Sequence, residues 1–166
     1  MFYVFSYGSN LLLERIRRRV YSVEKIANYT LADFELVFNK TSIDGSTKAN
    51  VRPSTGSKVL GVIQRMPMEH KPVLDEYEGL GNGYHLGQFR WKDQEVVRDV
   101  HYYICDDPHH LTTGHPYIWY RDYVLYGAIE NNFDPAYINR LRRKVANRDP
   151  NDTRRGFNDL VLDKYR

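Results

Sequence analysis

The stretch Phe2-Tyr3-Val4-Phe5-Ser6 constrains the fold more than any other part of the chain. A strand with one wet face alternates apolar and polar residues. This one does not, so it reads as a central strand covered on both faces. It breaks at Gly8-Ser9-Asn10, and Leu11-Leu12-Leu13-Glu14-Arg15-Ile16 then reads as a helix start, with Ser9 or Asn10 as its N-cap.

The pattern beyond that point is strand-rich and then helical. Residues 21–27, 30–38, 49–52 and 57–65 carry the β-branched and aromatic positions of strands, the last two separated by Pro53 and Gly56. Residues 68–78 read as a helix ending in Gly79. Residues 84–91 and 96–105 form a hairpin joined by the polar turn Lys92-Asp93-Gln94-Glu95. A His-rich loop, Asp106 to His115, precedes two helices at 117–131 and 134–146, the second with Pro135 at its start. Strands gathered in the first two thirds and helices in the last third predict an α+β fold. Its sheet is small, mainly antiparallel and barrel-like, with flanking helices. No repeat or linker divides the 166 residues, so a single domain spanning 1–166 is expected.

Bulk properties exclude several classes. One Cys leaves no internal disulfide and fits a reducing compartment. The apolar start is too short for a signal peptide or membrane helix, so a soluble, cytoplasmic protein is expected. The net charge is +3, with basic clusters at Arg15–Arg19 and Arg140–Lys144. Ile16 and Leu141 interrupt these at helical spacing, which reads as a solvated helix face rather than a nucleic-acid surface. His109, His110 and His115 match no metal-ligand spacing, and Cys105 has no identifiable base, so it reads as a small buried residue. No metal, cofactor, nucleic acid or membrane partner is expected, and a homodimer is allowed. The 14 Tyr fit a lined cavity as well as a core.

Two local features carry chemistry. Backbone N–H groups at a helix start lack partners and sit at the positive end of the helix dipole, so Tyr7-Gly8-Ser9-Asn10 offers a seat for a carboxylate or phosphate. The same residues also describe an ordinary strand-to-helix turn, and local chemistry does not separate the two. Asp75-Glu76-Tyr77-Glu78 places three acids in the last helical turn, where the dipole and mutual repulsion raise carboxyl pKa values. Glu78, beside Gly79, is the acid best placed to face a cleft, with surface exposure the open alternative. Asp75 and Glu76 read as solvated.

In order along the chain stand Tyr7-Gly8-Ser9-Asn10-Leu11, Gly61-Val62, Leu74-Asp75-Glu76-Tyr77-Glu78-Gly79, Pro116 with Tyr120, Gly127-Ala128-Ile129-Glu130-Asn131, and Asp149-Pro150-Asn151-Asp152. This ordered set resembles the γ-glutamylcyclotransferase family over nearly the whole chain. The resemblance implies a mixed barrel with flanking helices, no cofactor, and a small-molecule γ-glutamyl substrate. It implies Glu78 as the general acid/base, with the N–H groups of Gly8, Ser9, Asn10 and Leu11 holding the α-carboxylate. Tyr84 and Tyr120 match pocket tyrosines, whereas Tyr123 and Tyr126 read as core. The expected products are 5-oxoproline and a free amino acid or amine. Rival readings are a γ-glutamylamine or isopeptide specialist, a non-catalytic γ-glutamyl-binding homologue and, more remotely, a nucleic-acid-binding module.

Overall fold

In the computed structural model, which describes residues 1–166, the first strand, β1 (Phe2–Ser6), lies in the middle of a five-stranded sheet. The other strands are β2 (Glu24–Thr41), β3 (Thr47–Met66), β4 (His85–Asp93) and β5 (Val96–Ile104), in the order β2-β3-β1-β5-β4. β1 runs antiparallel to β3 and parallel to β5. Its side chains feed two separate cores. Phe2 and Val4 pack with Ile16, Val20, Met66 and Leu74, while Tyr3 and Phe5, with Tyr7 just past the strand end, join Tyr123, Val124 and Ala128 in the other core. A strand that answers to a core on each side has no wet position, which is why its sequence does not alternate.

The two outer segments predicted on each side of 28–29 and 53–56 are continuous strands of 18 and 20 residues. Pro53 and Gly56 do not end β3; they bulge it. The register shifts between Ala32 and Phe34, Asp33 takes φ 60°, Gly56 takes φ 79°, and the Gly56 N–H donates to Asp33 Oδ1 at 2.8 Å. The breakers are absorbed in one local irregularity of a paired ladder. The β4–β5 turn is also tighter than predicted, because Asp93 pairs directly with Val96. The sheet curls but does not close. Tyr29 of β2 stacks on Phe89 of β4 with ring centres 4.6 Å apart, so the two edge strands meet through side chains rather than ladder bonds.

Five helices flank the sheet: α1 (Leu13–Arg17), α2 (Lys71–Glu78), α3 (Ile118–Glu130), α4 (Pro135–Arg142) and α5 (Asp152–Leu162). α3 matches its prediction to within a residue at each end, α4 is shorter than expected, and α5 was not anticipated. Asp134 caps α4 by accepting from the Ala136 and Tyr137 N–H groups, and Asn151 caps α5. Asp149, 1% exposed, ties the two ends of the helical layer together. It accepts from Trp119 Nε1 at 2.8 Å and takes two bonds from Arg154 at 2.6 Å each. Those bonds hold its carboxyl down at about 2. No helix is long and apolar enough to cross a membrane.

Candidate active site

The chain leaves β1 into a single 3₁₀ turn, Ser9–Leu11, before α1. Neither Ser9 nor Asn10 caps a helix, contrary to the expectation from sequence; both are buried inside the turn. The Leu11 N–H donates to the Gly8 carbonyl at 3.0 Å and its side chain is 1% exposed in the core. Leu11 therefore drops out of the expected set of four anion donors. The N–H groups of Gly8, Ser9 and Asn10 head the turn, where no intrahelical acceptor exists for them.

Three side chains from elsewhere fix this turn. Gln64, 1% exposed, donates to the Asn10 carbonyl at 3.0 Å and accepts from Ser6 Oγ at 2.7 Å. Asn131 donates to the Leu11 carbonyl at 3.1 Å, and Glu130 accepts the Leu13 N–H at 2.9 Å. Gly127 brings α3 into backbone contact with the turn, since a Cβ there would lie 2.6 Å from the Leu12 nitrogen. The Gly127–Asn131 motif is thus a bracket for the turn. Gln64 was missed, although a polar residue inside the strand run Gly61–Met66 was a visible signal.

Glu78 ends α2, which stops because Gly79 takes a left-handed conformation (φ 71°, ψ 43°). Leu74, fully buried, seats the helix so that Glu78 faces the turn. Glu78 Oε1 accepts from Asn10 Nδ2 at 2.9 Å and from Arg19 Nη1 at 2.6 Å, while Arg19 Nη1 also reaches Asn10 Oδ1 at 3.1 Å. Oε2 receives no hydrogen bond from the protein. Arg19 lies over the Tyr77 ring, 5.3 Å from its centre.

Arg19 was not foreseen. The Arg15–Arg19 cluster divides: Arg17 and Arg18 are exposed, whereas Arg15 and Arg19, one helical turn apart, line the site. The Arg140–Lys144 cluster is largely exposed, as expected. Asp75 is not solvated either. It bonds Lys71 at 2.5 Å and accepts from the Tyr103 hydroxyl at 2.7 Å, so Asp75 and Glu78 have separate partners and their mutual repulsion is offset. Glu76 is exposed.

Three buried tyrosines complete the walls. The Tyr7 hydroxyl donates to the Tyr103 carbonyl. The Tyr84 hydroxyl donates to the Ala49 carbonyl, and the Tyr120 hydroxyl accepts the Ala49 N–H at 3.1 Å. Burial pushes all three hydroxyls above their ordinary range and keeps them neutral. Tyr7, Gly8, Ser9, Asn10, Glu78, Tyr84 and Tyr120 line one small inner cavity. It adjoins a much wider groove, and Ser9, Glu78, Tyr84 and Tyr120 line both.

The groove is walled by Arg15, Arg19, Lys40 and Lys48 with Trp119 and His110. Lys48 pairs with Asp44 at 2.6 Å and sits 4.7 Å from the Trp119 and Tyr120 rings. The Asp106–His115 loop is pinned to the end of β2, with Thr41 Oγ1 donating to the His110 carbonyl and the Thr112 N–H to the Asn39 carbonyl. His110 thereby joins the groove wall. Cys105 is buried, its N–H donates to Asn50 Oδ1, and burial pushes its thiol up. No three His, Cys, Asp or Glu side chains converge as a metal-holding group.

A sequence model of the family described as "Gamma-glutamyl cyclotransferase, AIG2-like" matches residues 4–125. The Gamma-glutamylcyclotransferase of Mus musculus is 29% identical over 149 residues, covering 85% of this chain and 77% of the mouse protein. That of Bos taurus is 27% identical over 172 aligned positions, covering 98% and 86%. A solved structure of a gamma-glutamyl cyclotransferase superposes with a TM-score of 0.83 at 27% identity, over 98% of each chain. The family match takes in all of the sheet but Phe2 and Tyr3, the Tyr7–Asn10 loop, Glu78, Tyr84 and Tyr120, and on that match the chain belongs to the gamma-glutamyl cyclotransferase, AIG2-like family.

Proposed function

We propose that this protein is a γ-glutamyl cyclotransferase, converting a γ-glutamyl amino acid or amine into 5-oxoproline and the free amine. One observation carries the reading. The loop and the carboxylate, 68 residues apart, are joined by the Asn10–Glu78 hydrogen bond at the mouth of one cavity. In this reading the inner cavity, lined by the Gly8–Asn10 turn and Glu78, takes the reacting end of the glutamyl half, and the adjoining groove takes the variable leaving group.

A γ-glutamyl amide carries its own nucleophile, the α-amine, which closes a five-membered lactam. Well-oriented intramolecular attack reaches effective molarities of about 10⁵–10⁸ M, so no Ser or Cys nucleophile is needed. The protein has to fold the chain and move protons. In this reading the α-carboxylate sits on the Gly8, Ser9 and Asn10 N–H groups. Glu78 takes a proton from the α-ammonium, and the freed lone pair attacks the γ-carbonyl carbon, forming the new C–N bond and placing charge on oxygen. The proton on Glu78 then passes to the leaving nitrogen, whose bond to carbon breaks as the carbonyl re-forms, and the new ring nitrogen gives its second proton to the freed Glu78 carboxylate, which passes it to the released amine or to solvent. Oε2, free of protein bonds, is the oxygen available for the transfer. Arg19 and Asn10 hold the other oxygen, so the carboxylate keeps its orientation whether or not Oε2 is protonated.

The test is 5-oxoproline release from γ-glutamyl-alanine, γ-glutamyl-ε-lysine and glutathione. Glu78→Gln should lower turnover by about 10²- to 10⁴-fold while the melting temperature stays near that of the wild type. Full activity in that variant, or no release from any of the three substrates, would remove the proposal. A non-catalytic homologue fits less well, because the carboxylate it would have no use for is retained and held by two donors.

A further inference from the structure

The groove wall holds a buried charge that the chemistry above leaves unused. Four cationic side chains line the groove, and two of them have carboxylate partners: Arg19 pairs with Glu78, and Lys48 with Asp44. Arg15 lies over the Tyr123 ring and reaches Asn158 Oδ1 at 3.4 Å. Lys40 is the least exposed residue of the four, at 7%, and no carboxylate forms an ion pair with it. Its Nζ makes one hydrogen bond, to the Thr41 carbonyl at 2.7 Å, and stands 5.2 Å from the centre of the Tyr84 ring.

An ammonium has three N–H donors, and enclosing one without a counter-charge is costly. The fold nevertheless builds a slot for it. Gly83, at φ 100°, leaves the room in which the Lys40 stem and the His110 ring pack, since a Cβ there would lie 2.6 Å from each. Burial pulls the Lys40 pKa down from its ordinary value, as it does for any ammonium deprived of water. An anion arriving with the substrate would supply the missing partner. The position says which anion. Tyr84 lines both inner cavity and groove, whereas Lys40 lines only the groove, which the cyclotransferase reading gives to the leaving group.

We infer that Lys40 receives the carboxylate of the departing amino acid, and so selects γ-glutamyl amino acids over γ-glutamyl amines. The inference rests on the cyclotransferase reading and adds to it a residue that determines the leaving group. γ-Glutamyl-alanine and γ-glutamyl-ethylamide differ only in that carboxylate, so the ratio of their kcat/KM values isolates it. Wild-type protein should favour the alanine substrate by at least about tenfold. In Lys40→Met the ratio should fall by about ten- to hundredfold, the range of a charge-assisted hydrogen bond, through a raised KM for the alanine substrate. Lys40→Arg should restore part of the ratio.

An equal loss on both substrates in Lys40→Met would give the charge to the glutamyl half or to the scaffold and overturn the inference. Equal turnover of the two substrates by wild-type protein would overturn it without any variant. Either result, with 5-oxoproline still formed, leaves the cyclotransferase reading standing. Absence of 5-oxoproline from both substrates would instead remove that reading, and this inference with it.

Discussion

Gly127→Ala tests whether α3 sets the position of the turn after Gly8. The new Cβ would lie 2.5 Å from Leu11 Cβ, 2.6 Å from the Leu12 nitrogen and 2.7 Å from the Leu11 carbonyl carbon. Two of those atoms are backbone, so no rotamer change relieves the clash. Helix and turn must part by about 1 Å to reach ordinary contact. Overpacking of this kind costs about 1–3 kcal/mol, and alanine recovers roughly 0.8–1 kcal/mol of helix propensity over glycine. With the obstacle being backbone, the net destabilisation is about 1–2 kcal/mol. For a chain of this size that lowers Tm by about 2–8 °C.

The same displacement moves the turn relative to Glu78, and a misplacement of about 1 Å can lower turnover around a hundredfold. Thermal melts and 5-oxoproline release on one preparation measure both effects. Gly156→Ala is the control: it lies within α5 with nothing inside 4 Å of the added Cβ, so the same substitution should raise Tm by about 2–4 °C. If Gly127→Ala behaved like Gly156→Ala, with unchanged kcat/KM, the bracket role of α3 would be refuted.

Gln64→Leu leaves Ser6 Oγ and the Asn10 carbonyl unpaired in the interior, at about 1–3 kcal/mol for each group. Urea denaturation should show the loss, and an unchanged midpoint would mean that neither bond matters. Asp149 predicts an acid limb. Its folded pKa of about 2 lies below the ordinary 3.8, so the unfolded chain binds the proton first. The stabilisation, roughly 2 kcal/mol, is complete above about pH 4 and is lost as pH falls toward 2. Thermal melts between pH 5 and 2 should show a steeper decline for wild type than for Asp149→Asn, and parallel curves would contradict the assignment.

The parts of the fold legible in the sequence are those whose cause is local. β1 declared its two faces by its unbroken apolar run, and Gly79 marked the end of α2 and hence the place of Glu78. Where the cause was distant, the reading went astray. Pro53 and Gly56 looked like strand ends because their compensation, the Asp33 carboxylate, lies 23 residues away. Arg19 looked solvated because the partner that distinguishes it from Arg18, the Glu78 carboxylate, lies 59 residues away. α5 hid behind an inverted pattern, with Phe157 and Leu160 exposed at 57% and 76% while Asn158 is 4% exposed. The cluster of Glu78 with the loop needed a resemblance to bring it together, since no periodicity links residues 10 and 78.

The two tyrosines bonded to Ala49 have a second consequence. β1 pairs only with Val62–Met66 of β3, so the earlier residues of β3 run on without that neighbour. At Ala49 the missing partner is replaced by two phenol groups, one accepting the N–H and one donating to the carbonyl. The cavity is therefore a gap in a sheet whose raw edge has been hemmed by side chains. At a position only 2% exposed, an unpaired backbone N–H or carbonyl would cost about 1–3 kcal/mol. Tyr84 and Tyr120 thus hold the sheet as well as line the cavity, and removing either hydroxyl would cost stability apart from any effect on the site.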